Sequence, residues 1–132
     1  MVGTIPKELF LLPELQTLEI DNNRYIGGEL PKEIAQISPT LQKCQLFFNN
    51  LSGKVPSGIQ FKTLRLDGNQ YTEFPFEYCK KGATYVYMTD NFITGVIPDS
   101  ILNDTEAVTK LHVMACHQLN GCKFENAPDL WN

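Results

Sequence analysis

A nine-residue pattern recurs five times along this chain and limits the folds open to it. In the clearest copy, residues 15–23 read Leu-Gln-Thr-Leu-Glu-Ile-Asp-Asn-Asn, with apolar residues at the first, fourth and sixth positions. The other copies begin at residues 41, 61, 83 and 108 and keep the same offsets. The ninth, or ladder, positions are Asn23, Asn49, Asn69, Asn91 and Cys116. Their separations of 26, 20, 22 and 25 residues are typical of a solenoid built from stacked coils.

A second motif, of the form Gly-x-Ile-Pro, runs in phase with the first. It occupies residues 3–6, 28–31, 53–56, 72–75 and 95–98, and the fourth of these copies begins with Thr instead of Gly. The residue before a proline avoids the helical region, so each copy predicts an extended step. Another large apolar residue stands three positions after each proline: Leu9, Ile34, Ile59, Tyr78 and Ile101.

The spacing within each copy assigns a physical role to each position. Side chains alternate along a strand, so the fourth and sixth residues face one side, where stacked coils share a core. The ladder residue ends the strand. An asparagine side chain there can satisfy backbone groups of its own turn and of the neighbouring repeat, which would otherwise be buried without partners.

The two interlocked motifs resemble the plant-type leucine-rich repeat over about residues 3–121, most closely at residues 49–56 and 91–98. The resemblance implies an α/β solenoid, a right-handed arc with a parallel inner sheet and short 3-10 or helical turns on the convex side. We expect one domain over residues 1–132 with about five repeats. The chain opens inside a Gly-x-Ile-Pro motif and stops where a sixth repeat should begin. We therefore expect both ends to be truncated within a repeat.

The pattern also predicts where the elements lie. Strands are expected at residues 15–20, 41–46, 61–66, 84–88 and 109–113. Helical turns are expected at residues 6–9, 31–37 and 98–107, with the last being the longest. The inner strands would expose the side chains that flank their core positions. The ligand-binding residues predicted on this concave face are Lys43, Gln45, Phe47, Arg65, Asp67, Tyr85, Tyr87 and His112.

Phe47 has two interpretations. Its ring either packs against the neighbouring turn or faces outward with Tyr85 and Tyr87 as a central aromatic patch. Aromatic residues are enriched at binding hot spots. A mixture of polar, charged and aromatic side chains on a preformed concave surface is typical of protein, peptide or glycan recognition.

The net charge and the hydropathy of the chain limit the classes of partner that we expect it to bind. The net charge is −4 and the sequence pI is about 5.1, so no nucleic-acid footprint is present. No apolar run reaches the roughly 18 residues of a membrane span, so we expect no membrane contact by this segment, although a parent protein could be anchored. No signal peptide is visible in this segment. Two glycosylation acceptor motifs begin at Asn50 and Asn103, outside the predicted strands, which favours an extracellular or cell-surface location.

The four cysteines are Cys44, Cys79, Cys116 and Cys122. Cys44 occupies a core strand position and is expected to be a buried free thiol. The spacing of Cys116 and Cys122 permits a small disulfide loop, but spacing alone does not fix connectivity. These two cysteines cluster with His112 and His117 without a familiar zinc spacing. We expect no metal site and no cofactor.

Acidic residues at positions 19, 21 and 67 could in principle perform acid–base chemistry on sugars, but an open concave ladder does not enclose a substrate. We therefore expect no enzyme activity. By the resemblance, the chain is a recognition module of a larger receptor-like ectodomain. The alternatives are a secreted inhibitor of a cell-wall-degrading hydrolase, such as a polygalacturonase inhibitor, or a structural or adhesion repeat protein.

Overall fold

The computed structural model describes residues 3–37, 40–60, 62–80, 82, 84–114 and 123–126. Two parallel sheets run through the repeats. The first, here called the inner sheet, has the order β2-β4-β6-β8. Its strands are Thr17–Glu19, Lys43–Gln45, Thr63–Arg65 and Tyr85–Tyr87. They lie within the predicted strand segments and are shorter, because only the central three residues of each pair with their neighbours.

The second sheet was not predicted. It has the order β1-β3-β5-β7 and is made of Gly3–Thr4, Ile26–Glu29, Asn50–Lys54 and Gln70–Glu73. A further pair, β9 at Thr94–Gly95 and β10 at Lys123–Phe124, is also parallel. These segments are short and several contain glycine, so they lack the alternation that identifies a strand in a sequence.

Helical turns are present at the predicted residues 6–9, 31–37 and 98–107, but the last of these segments is divided into two helices and the second continues beyond residue 107. Two 3-10 helices lie at Lys7–Leu11 and Phe76–Cys79, and the second of them was not predicted. The α-helices are α1 at Ile34–Ile37, α2 at Asp99–Leu102 and α3 at Thr105–Met114. The apolar residues three positions after the prolines face the core, where Ile34, Ile59, Tyr78 and Ile101 are buried and Leu9 packs against them.

The predicted fifth strand, residues 109–113, is wrong. These residues belong to α3. The carboxylate of Asp104 accepts a hydrogen bond from the Ala107 N–H at 3.1 Å, which satisfies one of the free donors at the start of the helix. Ala107 and Leu111 lie one turn apart and are both buried. His112 is therefore on a helix and not on an inner strand.

The predicted role of the ladder asparagines is confirmed at three positions. The Asn49 amide donates to the carbonyls of Ile20 and Leu46 at 2.7 and 3.0 Å and accepts from the Asn23 N–H at 2.9 Å. Asn69 and Asn91 repeat this arrangement one and two coils later. Each side chain thus joins two adjacent coils through hydrogen bonds to their backbone groups. Cys116 lies outside the described residues.

Candidate ligand-binding face

The strand register brings the predicted site residues together in rows across the inner sheet. Glu19 lies opposite Gln45, Gln45 opposite Arg65, and Arg65 opposite Tyr87. A neighbouring row pairs Thr63 with Tyr85. The core positions between these residues are buried, so the rows lie on the face directed away from the core.

Arg65 is the centre of the face. Its Nη2 and Nε donate to the two carboxylate oxygens of Asp67 at 2.7 and 3.2 Å. Its guanidinium carbon lies 4.7 Å from the centroid of the Phe47 ring. The hydrogen bonds with Asp67 raise the pKa of Arg65 further above its usual range, so the charge is fixed. A bidentate pair of this kind also sets the plane of the guanidinium.

Asp67 is not the free surface acid that the sequence pattern predicts. It is only 6% exposed, because the Arg65 side chain covers its carboxylate. Phe47 adopts a position between its two predicted alternatives, half-buried under the guanidinium. These two residues support Arg65 from both sides, so they contribute to the face by positioning a cation.

Tyr85 and Tyr87 project from β8 and are 44% and 36% exposed. The ammonium of Lys110 lies 4.4 Å from the Tyr85 ring centroid and donates to the Lys80 carbonyl at 3.2 Å. Burial lowers the pKa of Lys110. Helix α3 lies against β8, beside these tyrosines.

Lys43 and Glu19 lie on adjacent strands and form an ion pair at 2.6 Å, with side chains 51% and 43% exposed. Solvent-exposed pairs of this kind contribute about 0–1 kcal/mol, so both charges can exchange partners at little cost. Gln45, which lies opposite Glu19, is half-buried. This end of the face is polar, whereas the β8 end is aromatic.

Phe48, in the turn that follows β4, was not among the residues predicted to bind a ligand. Its φ of 55° places it in the left-handed region, which is rare for a bulky residue. It is 47% exposed and stacks edge-on against Phe47, with ring centroids 5.6 Å apart. The available signal was the pair Phe47-Phe48 immediately before a ladder asparagine.

The two acceptor asparagines lie away from the inner sheet. Asn50 is exposed on β5, and its side-chain oxygen accepts a hydrogen bond from the amide of Gln70. Asn103 is exposed at the end of α2. Glycosylation at either position stays a prediction.

Cys44 and Cys79 are buried free thiols, as predicted for Cys44. Burial raises the pKa of each thiol to about 12, so neither is a reactive nucleophile at neutral pH. Cys116, His117 and Cys122 lie outside the described residues, so the disulfide stays a prediction. Within the described ranges, no three His, Cys, Asp or Glu side chains are grouped as a metal site would require.

The helices of the described segments include none that is both long enough and apolar enough to cross a membrane.

No protein-family model matches the chain, and neither does any curated protein. Solved structures do match. A TDR receptor superposes with a TM-score of 0.68 at 21% identity, over 93% of this chain and 21% of the receptor. The plant peptide hormone receptor RGFR1, in complex with RGF2, gives 0.66 at 25% identity, over 94% of this chain and 19% of the receptor.

The chain thus spans about one fifth of the length of each of these proteins. Both are plant leucine-rich-repeat receptor ectodomains. The agreement extends over nearly all of this chain. The chain has the fold of a leucine-rich-repeat solenoid, and it is similar to those of the plant type.

Proposed function

We propose that this chain is a non-catalytic recognition module that binds a peptide or protein ligand on its inner sheet. We further propose that residues 1–132 form one domain within a larger receptor-like ectodomain at the cell surface or outside the cell. The observation that carries the proposal is the row from Arg65 to Tyr87, where a fixed cation stands beside exposed aromatic rings on a rigid strand platform.

The chemistry of this row suits a peptide. Tyrosine rings offer large contact areas that lose little conformational freedom on binding. The guanidinium is already held by Asp67 and Phe47. Its remaining N–H groups can donate to a ligand carboxylate or carbonyl with little further loss of side-chain entropy. Lys43 and Glu19 extend the polar side of the face over two further strands.

The similarity to RGFR1 supports the same proposal. That receptor was solved with a peptide hormone, RGF2. The identity of 25% and the coverage of 19% of that receptor concern the scaffold, so the ligand of this chain has to be found by experiment.

A displayed library of random 12-residue peptides, selected on the immobilised chain, tests the proposal. We expect enriched peptides whose affinity falls about tenfold or more in Y85A/Y87A, since central aromatic residues contribute about 2 kcal/mol or more at hot spots. The matched control is F92A/V96A, because Phe92 and Val96 are as exposed as the tyrosines but are not on the inner strands.

The proposal fails if no peptide is enriched, or if the enriched peptides lose as much affinity in the control as in Y85A/Y87A. Both double variants must first show the unfolding midpoint of the parent chain within a few degrees. All four side chains are solvent-exposed, so we expect this condition to hold.

A further inference from the structure

A second recognition feature lies apart from the inner strands, in the turns that follow β2 and β4. A shallow groove of about 360 Å³ is lined there by Asn22, Asn23, Arg24, Tyr25 and Phe48. Tyr25 is 60% exposed and Phe48 47% exposed. The groove therefore presents two aromatic side chains and a guanidinium, together with two amides whose NH2 groups each already donate one hydrogen bond to Asp21.

The backbone at Phe48 indicates that its ring is held in place for a reason other than core packing. The equivalent turn positions of the other repeats carry Asn22, Gly68 and Asp90, with φ of 59°, 71° and 58°, and these residue types tolerate the left-handed region. Phenylalanine does not, and about half of its surface remains in water. Strained residues of this kind cluster at ligand sites.

Gly68 in the next repeat leaves space for the Phe48 ring because it has no side chain. A Cβ on Gly68 would lie 2.0 Å from Phe48 Cδ1, so any larger residue would displace the ring. Gly68 itself has a φ of 71°. The pair Phe48 and Gly68 thus fixes an exposed aromatic ring at the edge of the groove.

The polar side of the groove is formed by side chains. The guanidinium carbon of Arg24 lies 5.1 Å from the Tyr25 ring centroid, and no carboxylate of the described residues lies within ion-pair distance of it. The backbone donors of Asn22 and Asn23 are already bonded to Phe47 O and to Asn49 Oδ1. These two N–H groups are therefore not free to pair with an added peptide strand.

We propose that this groove binds a short oligosaccharide. A pyranose ring has apolar C–H faces and a rim of hydroxyl groups. The faces suit the rings of Tyr25 and Phe48, and the rim suits the amides and the guanidinium. Arg24 adds charge complementarity for a sugar acid. This site is separate from the proposed peptide surface and does not depend on it.

Isothermal titration of the full chain with cellohexaose and with hexagalacturonate tests the proposal. We expect saturable binding of at least one probe, about tenfold weaker in Y25A and in F48N, as for central aromatic contacts. R24Q should weaken the acidic probe about tenfold and leave the neutral probe within about twofold. The control F92N removes an exposed aromatic residue outside the groove and should change neither affinity.

Absence of saturable binding for both probes would overturn the proposal, as would an equal loss of affinity in F92N and F48N. If peptides selected on the chain lost affinity in F48N and Y25A but not in Y85A/Y87A, the groove would be a peptide site instead. Y87A separates the two proposals, because it should weaken the selected peptides and leave the sugar affinities unchanged.

Discussion

Two tyrosine hydroxyls in the core have opposite surroundings. The Tyr78 hydroxyl donates to the Pro56 carbonyl at 2.7 Å and accepts from the Ile59 N–H at 3.0 Å. The Tyr71 hydroxyl is buried and has no hydrogen-bond partner among the described residues. Burial raises the pKa of both, that of Tyr78 to about 12. Tyr78 stands where other repeats have isoleucine or leucine, and its hydroxyl joins its coil to the one before.

The same chemical change should therefore have different effects at the two positions. Y78F leaves the half-buried Pro56 carbonyl and the buried Ile59 N–H without their partner, which should lower the free energy of unfolding by about 1–3 kcal/mol. Y71F removes an unsatisfied hydroxyl and should be neutral or stabilising. Urea unfolding followed by circular dichroism measures both variants. Equal losses in the two would contradict the assigned hydrogen bonds.

For single residues, the sequence predicts the contacts that recur in each repeat but not those that occur only once. The ladder asparagines were predictable because the same backbone groups need partners in each coil. The bidentate pair of Arg65 with Asp67 and the fit of Phe48 over Gly68 depend on side-chain directions between particular neighbouring repeats. No periodicity indicates such contacts in advance.

At the scale of elements, the fifth repeat shows where pattern reading fails. Leu111 and Val113 match the strand template, but the same residues fit a helix with Ala107 and Leu111 one turn apart. The N-terminal cap formed by Asp104 favours the helix, and that signal was available in the sequence. The second sheet was missed for a different reason, because its strands are held by neighbours rather than by their own composition.

Thr109 distinguishes helix from strand. It is exposed on α3 and its hydroxyl donates to the Thr105 carbonyl at 2.9 Å. T109A should raise the free energy of unfolding by a few tenths of a kcal/mol, because alanine is the better helix former. T72A on the exposed strand β7 should lower it, because threonine favours strands. Thermal unfolding of the two variants measures both changes. A loss of stability in T109A would favour the predicted strand at residues 109–113 over the helix.

At the scale of the whole molecule, the core lies between two sheets and takes in both described thiols. Their pKa of about 12 lies above the ordinary value of 9.0. The folded state therefore keeps its thiol protons at pH values where the unfolded chain loses them. The contribution of these protonated thiols to the free energy of unfolding is complete below about pH 9 and is lost as pH rises towards 12.

The free energy of unfolding should fall by roughly 1 kcal/mol per thiol between pH 8 and pH 10. Urea titrations at several pH values give this slope. The double variant C44A/C79A should be less stable at pH 7, because cavities replace the sulfur atoms, but its slope above pH 9 should be shallower. An unchanged slope would show that the two thiols do not carry the alkaline sensitivity.

The most direct test of the inner sheet as the ligand surface is hydrogen–deuterium exchange of the chain with and without a peptide selected from the library. We predict slower exchange in residues 62–68 and 84–89, which carry Arg65, Tyr85 and Tyr87. Residues 92–97, on the far side of the ladder, should be unchanged. Protection confined to residues 92–97 or to the convex helices, with none on β6 and β8, would contradict the account.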